Sequence, residues 1–164
     1  YGNYADQPLL ELVKKANKQK PSAIIIGCFD DTGLEQAREI SLCPVLGIGE
    51  SSFLLSYLFS GKTAVITTVH EAVPIIKKNI KNAGYSTLIS EVIAADIEVL
   101  DLEFSPAQSA VKFAQASKAL DGSTQNIILG CAGAVKIKDE FETITGYKSF
   151  DGVTSAAKLC RALL

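Results

Sequence analysis

The apolar residues of this chain fall into short continuous runs that alternate with longer amphipathic stretches. Leu9, Leu10, Leu12, Val13 and Ala16 recur at helical spacing and predict an amphipathic helix over 8–18, with Pro8 near its first turn. The run Ala23-Ile24-Ile25-Ile26-Gly27-Cys28 is short, unbroken and rich in Ile, as a strand buried on both faces of a parallel sheet should be. Thr32 and Glu35 have capping-box spacing, which predicts a helix running to Ile40. Residues 44–48 form the next strand, and Glu50 opens a helix containing Phe53, Leu54, Leu55 and Leu58. A strand over 63–68 and a helix over 70–81 follow, then strands over 86–93 and 97–102. Ser105-Pro106 opens a helix to Leu120 with Ser at the cap and Pro at the first helical position. Strands alternating with helices throughout predict an α/β protein, with parallel sheets covered by helices on both faces.

One unit of this pattern is written twice. Asn126-Ile127-Ile128-Leu129-Gly130-Cys131 repeats the first cysteine strand, and each copy continues through a turn, a helix and a second short strand to a glycine. Cys28 and Gly49 lie 21 positions apart, as do Cys131 and Gly152. Helices over 51–60 and 154–164 follow the two glycines. The repeat predicts two related lobes, each presenting one thiol at the carboxyl end of a buried strand, with the two closing helices crossing between lobes. The expected division is 1–60 for the remainder of the first lobe, 61–152 for the second, and 153–164 for a helix returning to the first.

Composition narrows the class. The 164 residues are 48% hydrophobic and 21% charged, enough to bury a core. The formal charge of −2 leaves no basic surface for nucleic acid, and the lysines at 14, 15, 18, 20, 77, 78 and 81 sit at the spacing of solvated helix faces. Four cysteines without a CxxC, beside a single histidine, predict neither a zinc site nor a disulfide framework. Reduced thiols in a cytoplasmic protein are the expected state. No stretch has the length of a membrane span or the pattern of a signal peptide. With no Met and a start at Tyr1-Gly2-Asn3-Tyr4, the sequence reads as part of a longer protein.

In open parallel α/β folds, ligands sit beyond the carboxyl ends of strands, which singles out Cys28, Cys131, Thr67-Thr68, Gly49-Glu50 and Asp151-Gly152. Cys43 and Cys160 fall elsewhere and read as buried small hydrophobes. Two thiols at matching places, each after a glycine and before a helix, are suited to act as base and acid on opposite faces of one carbon. A helix start favours thiolate. Thr67 and Thr68 are either hydrogen-bonding groups for a polar substrate or ordinary β-branched strand residues. His70 reads as a surface residue, Asp30 and Asp31 as turn and cap residues, and Glu50 as a carboxylate suited to its helix start. There is no GxxxxGK loop, and Gly47-Ile48-Gly49 lacks the third glycine of a dinucleotide fingerprint.

At these residues the chain resembles the hydantoin and allantoin racemases of the aspartate/glutamate racemase superfamily. Ile26-Gly27-Cys28-Phe29-Asp30-Asp31-Thr32-Gly33-Leu34 is similar to the family's first cysteine segment, and residues 44–53 to its next strand and helix start. Thr67-Thr68 with Val73-Pro74-Ile75 resembles the opening of the second lobe. Ala94-Ala95-Asp96-Ile97 and Val99-Leu100-Asp101-Leu102 resemble its middle. Leu129-Gly130-Cys131-Ala132-Gly133 and Phe150-Asp151-Gly152-Val153 resemble its end. Phe29-Asp30 stands where the amino-acid racemases carry Asn-Thr, and Ala132-Gly133 where they carry Thr-His, which favours the cyclic-ureide branch.

The resemblance implies two pseudo-symmetric, flavodoxin-like or Rossmann-like three-layer lobes with the site between them. It implies Cys28 and Cys131 as the catalytic pair, with substrate contacts from Thr67, Thr68, Phe29, Ala132 and Gly133. It implies no metal and no cofactor, a cyclic ureide (allantoin or a 5-substituted hydantoin) racemised at C5, and a homo-oligomer. The family's first strand and its Asn-Pro-Asn-like loop have no counterpart here, and Ala134-Val135-Lys136 departs from the usual continuation. Another superfamily activity (amino-acid racemase or decarboxylase) and a non-catalytic small-molecule binder are the alternatives. Decarboxylation of the malonate type needs one cysteine, and this chain has both.

Overall fold

The computed structural model of the chain describes residues 2–163, with side chains from residue 6 onward. Two parallel sheets organise it. The smaller pairs β1 (Ile24–Ile26) with β2 (Val45–Gly47), in the register Ile24 to Val45 and Ile26 to Gly47. Helices α1 (Gly2–Gln19) and α2 (Leu34–Ile40) pack on the face carrying Ile24, Ile26 and Val45, where Val13, Leu34 and Ala37 complete a small core. Alternation of side chains across a strand sends Ile25 to the other face. Ile25 is 42% exposed, so this strand is not buried on both faces as its unbroken apolar run predicts. The reason is local: both helices packed here lie on one side.

The larger sheet contains β3 (Lys62–Thr67), β4 (Ile89–Ala94), β5 (Thr124–Leu129) and β6 (Lys148–Asp151), in the spatial order β4-β3-β5-β6. All three pairings are parallel. Ala64, Ile66, Ile127 and Leu129 point to one face, against Ala110 and Phe113 of α6 (Pro106–Ser117) and Phe141 of α7 (Lys138–Thr145). Val65, Ile128 and Phe150 point to the other, against Ile48 and Phe53 of α3 (Ile48–Tyr57), Ile76 and Ile80 of α4 (Ala72–Asn82), and Ala156 of α8 (Gly152–Leu163). This is the expected three-layer α/β/α arrangement, and burying each such aliphatic or aromatic side chain contributes about 1.5–3 kcal/mol. The chain winds from β3 outward to β4, then returns to lay β5 on the opposite side of β3. The reversal opens a crevice beyond the carboxyl ends of β3 and β5.

Helices α3 and α8 tie the two sheets together. Each begins directly after the second strand of a parallel pair. Starting from β2, α3 packs on β5, β6 and α4 of the larger sheet, while α8 leaves β6 and touches β2 of the smaller. The two helices also pack on each other. Gly152 is required at the crossing, because a methyl there would lie 2.7 Å from the Ile48 carbonyl oxygen.

Several local expectations are corrected. α1 starts well before Pro8, which lies inside the helix. The Thr32/Glu35 capping box does not form: α2 begins at Leu34 behind Gly33, whose φ of 69° makes the turn. Residues 86–88 are turn rather than strand. The strand expected over 97–102 is absent; Ala95 and Ile97 donate to the carbonyls of Thr67 and Thr68 as the chain leaves β4. The Asp101 carboxylate then accepts the Glu98 N–H at 3.2 Å, and the chain turns into the short α5 (Asp101–Phe104). Ser105 precedes Pro106 as expected but makes no side-chain cap.

Candidate active site

The first cysteine stands two residues beyond β1, in a turn rather than directly at a helix start. Asp31 N–H donates to the Cys28 carbonyl at 3.1 Å, closing the turn, and the Cys28 Sγ lies 4.0 Å from the Thr32 hydroxyl. Cys28 is exposed. Its neighbour Phe29 anchors the turn instead: 5% exposed, its ring meets Phe53 of α3 edge-on, with centroids 6.0 Å apart. The Phe29 ring is therefore committed to the core. From α4, Asn79 donates to the Asp30 carbonyl at 2.6 Å.

The second cysteine is held more tightly. Gly130 N–H continues the sheet by donating to the Ile66 carbonyl at 2.7 Å, and the Gly130 carbonyl accepts the Thr67 hydroxyl at 2.9 Å. Cys131 follows in extended backbone and caps a 3-10 helix over Ala132–Lys136. The thiol is half-buried, and that burial raises its pKa; hydrogen bonds from the backbone of Gly133 and Ala132 oppose the rise. The helix start was expected to favour thiolate here, but desolvation outweighs it. Charge on Cys28 and on Asp30 pushes the Cys131 thiol further up. The two cysteines, more than 100 positions apart in the chain, follow strands of different sheets, and charge on Cys28 still reaches Cys131. Gly133 packs tightly: a methyl there would lie 3.1 Å from the Leu102 Cβ.

The remaining expected site residues divide. Thr67 is buried and its hydroxyl is engaged by Gly130, so it braces the Cys131 strand. Thr68 is also buried, and among the described residues no hydrogen bond holds its hydroxyl. His70 is a surface residue as expected, paired with Asp96 at 2.9 Å. Cys43 sits beside the Ser41 hydroxyl at 3.6 Å, and Cys160 is within α8. Asp151 is 1% exposed and caps its own helix, accepting the Thr154 N–H at 2.7 Å. Among the described residues, no group of three or more His, Cys, Asp or Glu stands together to hold a metal, and no helix is long and apolar enough to cross a membrane.

The residue that sequence reasoning undervalued is Asp31. Its carboxylate accepts the N–H of Gly49 at 3.0 Å and of Glu50 at 2.7 Å, capping α3 from eighteen residues upstream. Burial raises its pKa from 3.8 to about 7, against the pull of those two N–H groups. Gly47 and Gly49 make the room. A methyl on Gly47 would lie 2.6 Å from the Asp31 Cγ, and one on Gly49 would run into the Phe29 carbonyl. The Gly-Ile-Gly pattern that resembles part of a nucleotide fingerprint is the cradle of this carboxylate.

The family model described as Asp/Glu/Hydantoin racemase matches residues 1–160. A hydantoin racemase of Rhizobium meliloti is 36% identical over 159 residues, covering 95% of this chain and 66% of that protein. The allantoin racemase of Klebsiella pneumoniae has a similar structure (TM-score 0.85, 26% identity), with 94% of this chain and 64% of that one covered. The allantoin racemase of Pseudomonas fluorescens gives a TM-score of 0.81 at 28% identity, over 87% and 61% of the two chains. The chain thus spans about two thirds of the length of the curated relatives it matches. The match covers nearly the whole sequence: the chain belongs to the Asp/Glu/Hydantoin racemase family.

Proposed function

We propose that the chain carries the cysteine pair of a cofactor-independent racemase of hydantoin-type rings, with Cys28 and Cys131 as the two acid–base groups. The observation that carries this reading is that β1 and β5, strands of two parallel sheets tied together by α3 and α8, each run into one of the two cysteines. In this reading one of the two acts as thiolate and the other as thiol. A two-base racemisation starts from that state. The thiolate removes the C5 proton, whose electron pair moves into the adjacent carbonyl as an enolate. The other thiol delivers its proton to the opposite face, leaving the pair with its charges exchanged. Backbone N–H groups beyond the cysteines stabilise the developing negative charge, and Thr68, Ala132 and Gly133 line the ring's polar edge. The reading takes 1–60 and 61–152 as the two lobes, with 153–164 returning to the first. It includes a cyclic ureide as the small-molecule partner, a reducing cytoplasm and a homo-oligomer.

The test is to incubate single enantiomers of allantoin and of alkyl- and aryl-hydantoins with the protein and follow optical rotation. Decay of rotation to zero without loss of ring is the expected result. Constant rotation with saturable binding would assign a binding module instead, and loss of CO2 from an arylmalonate would assign a decarboxylase.

A further inference from the structure

We propose that Asp31 is the positioning residue for Cys28: its carboxylate locks the Cys28–Asp31 turn onto the first turn of α3, fixing the thiol relative to Cys131. This deepens the racemase reading and rests on it for the role of Cys28. Three observations converge. Asp31 is joined to the cysteine through its own N–H, which donates to the Cys28 carbonyl at 3.1 Å. Its two carboxylate oxygens are each taken by a different backbone N–H of α3, Gly49 and Glu50. Its backbone holds the left-handed φ of 48°, a conformation that Asp adopts more readily than most side chains and that suits it to this turn.

The clamp also joins the two halves of the site. α3 packs on β5, the strand that leads to Cys131, so the helix that Asp31 grips is itself seated against the second thiol's support. The turn has other supports, but they act elsewhere: the Thr32 hydroxyl is 4.0 Å from the thiol, Phe29 holds through its ring, and Asn79 holds the Asp30 carbonyl, whereas the Asp31 N–H donates to the Cys28 carbonyl itself. Geometry of this kind governs proton transfer steeply, since displacement by about 1 Å costs on the order of 100-fold in rate.

A cavity of about 340 Å³ opens onto Asp31 and gives it a route to solvent protons. The charged groups facing it there are Asp6 of α1, Glu35 and Arg38 of α2, Glu50 of α3, Lys78 of α4 and Asp30 of the same turn. Arg38 is paired with Glu50, which leaves the Asp31 carboxylate without a direct ionic partner among the described residues. Burial therefore dominates and raises its pKa to about 7. Protonation turns one acceptor oxygen into a donor and releases one of the two N–H groups, so the two hydrogen bonds to α3 are both made only as pH rises through neutrality, even though ionising the buried carboxylate costs the fold stability.

The experiment compares wild type with Asp31→Asn and Asp31→Glu, scoring kcat, KM and the rate of Cys28 alkylation by iodoacetamide, read by mass spectrometry against Cys43 in the same molecule. In a folded variant kcat falls by about tenfold or more while KM stays within about twofold. Cys28 alkylation changes by about threefold or more relative to Cys43, because the released turn no longer holds the exposed thiol in one environment. The limb of the wild-type kcat profile near pH 7 is absent from Asp31→Asn. Unchanged kcat and unchanged Cys28 labelling in either folded variant would overturn the proposal. So would the failure of both variants to fold, which would make Asp31 a structural residue only. If no hydantoin is racemised by the wild type, the labelling arm still decides whether Asp31 positions Cys28.

Discussion

The Thr67 hydroxyl donates to the Gly130 carbonyl at 2.9 Å, joining the carboxyl ends of β3 and β5 one residue before Cys131. Both residues lie where the winding of the larger sheet reverses, so this bond fixes the strand end from which the second thiol projects. Thr67→Val keeps the shape and removes the donor. It should cost about 1–3 kcal/mol by leaving a buried carbonyl short of a partner. Thr67→Ser keeps the bond and should lose clearly less. Urea midpoints check this; equal midpoints for Val and wild type would deny the hydroxyl its bracing role.

Close approach at two glycines gives a second expectation. A methyl on Gly152 would lie 2.7 Å from the Ile48 carbonyl oxygen, and one on Gly49 would run into the Phe29 carbonyl. Neither backbone atom belongs to a flexible side chain that can swing away. Gly49→Ala and Gly152→Ala should each destabilise by about 1–3 kcal/mol through overpacking. Gly84→Ala, by contrast, meets no atom within 4 Å and tests only its positive φ. Thermal unfolding of the three variants should rank Gly84→Ala as the mildest.

Much of this architecture is legible in the residues, and the misses have physical causes. The two cysteine strands, their following strands and the closing helices are marked by apolar runs and glycines that act locally. Strand alternation also sends Ile66 and Val65 to opposite faces. The misses involve partners far apart in the chain. Nothing near Asp31 indicates that its carboxylate caps a helix eighteen residues later, and Gly47 and Gly49 are explained only by that carboxylate. Ile97 to Leu102 has a strand-like composition, but the Asp101 side chain captures the Glu98 N–H and the chain turns. The two thiols identify themselves by repetition, yet the burial that makes Cys131 a weaker acid depends on tertiary packing.

The pH dependence of stability follows from Asp31. Its folded pKa of about 7 lies above the unfolded value, so the folded state binds the extra proton. Its contribution is full below about pH 4 and is lost as pH rises through 7. Asp31→Asn cannot ionise. The stability of wild type relative to this variant should therefore fall between pH 4 and pH 8, by about 2–4 kcal/mol. A difference that is flat or rises over this window would contradict the burial of that carboxylate.

Cys131 offers a check that needs no substrate. Burial and the charges of Cys28 and Asp30 keep its thiol protonated to higher pH than an ordinary cysteine. Its alkylation at pH 8 should be slower than that of a peptide thiol. Cys28→Ser removes one of the repelling groups, so alkylation of Cys131 should accelerate in that variant. No acceleration would mean that the two thiols do not sense each other.

The central claim, that one thiol serves each face of the substrate carbon, is tested most directly by solvent deuterium exchange at C5 in the single cysteine variants. A two-base mechanism makes each enantiomer depend on a different cysteine for loss of its proton, and a serine hydroxyl is far too weak an acid to supply the missing base at neutral pH. Cys28→Ser and Cys131→Ser should both lose racemisation by about 1,000-fold or more. Each should still exchange the C5 proton of one enantiomer, and the two variants should prefer opposite enantiomers. Cys43→Ser and Cys160→Ser should racemise at nearly the wild-type rate. Equal exchange of both enantiomers by Cys28→Ser and Cys131→Ser, or abolished turnover in Cys43→Ser, would contradict the assignment.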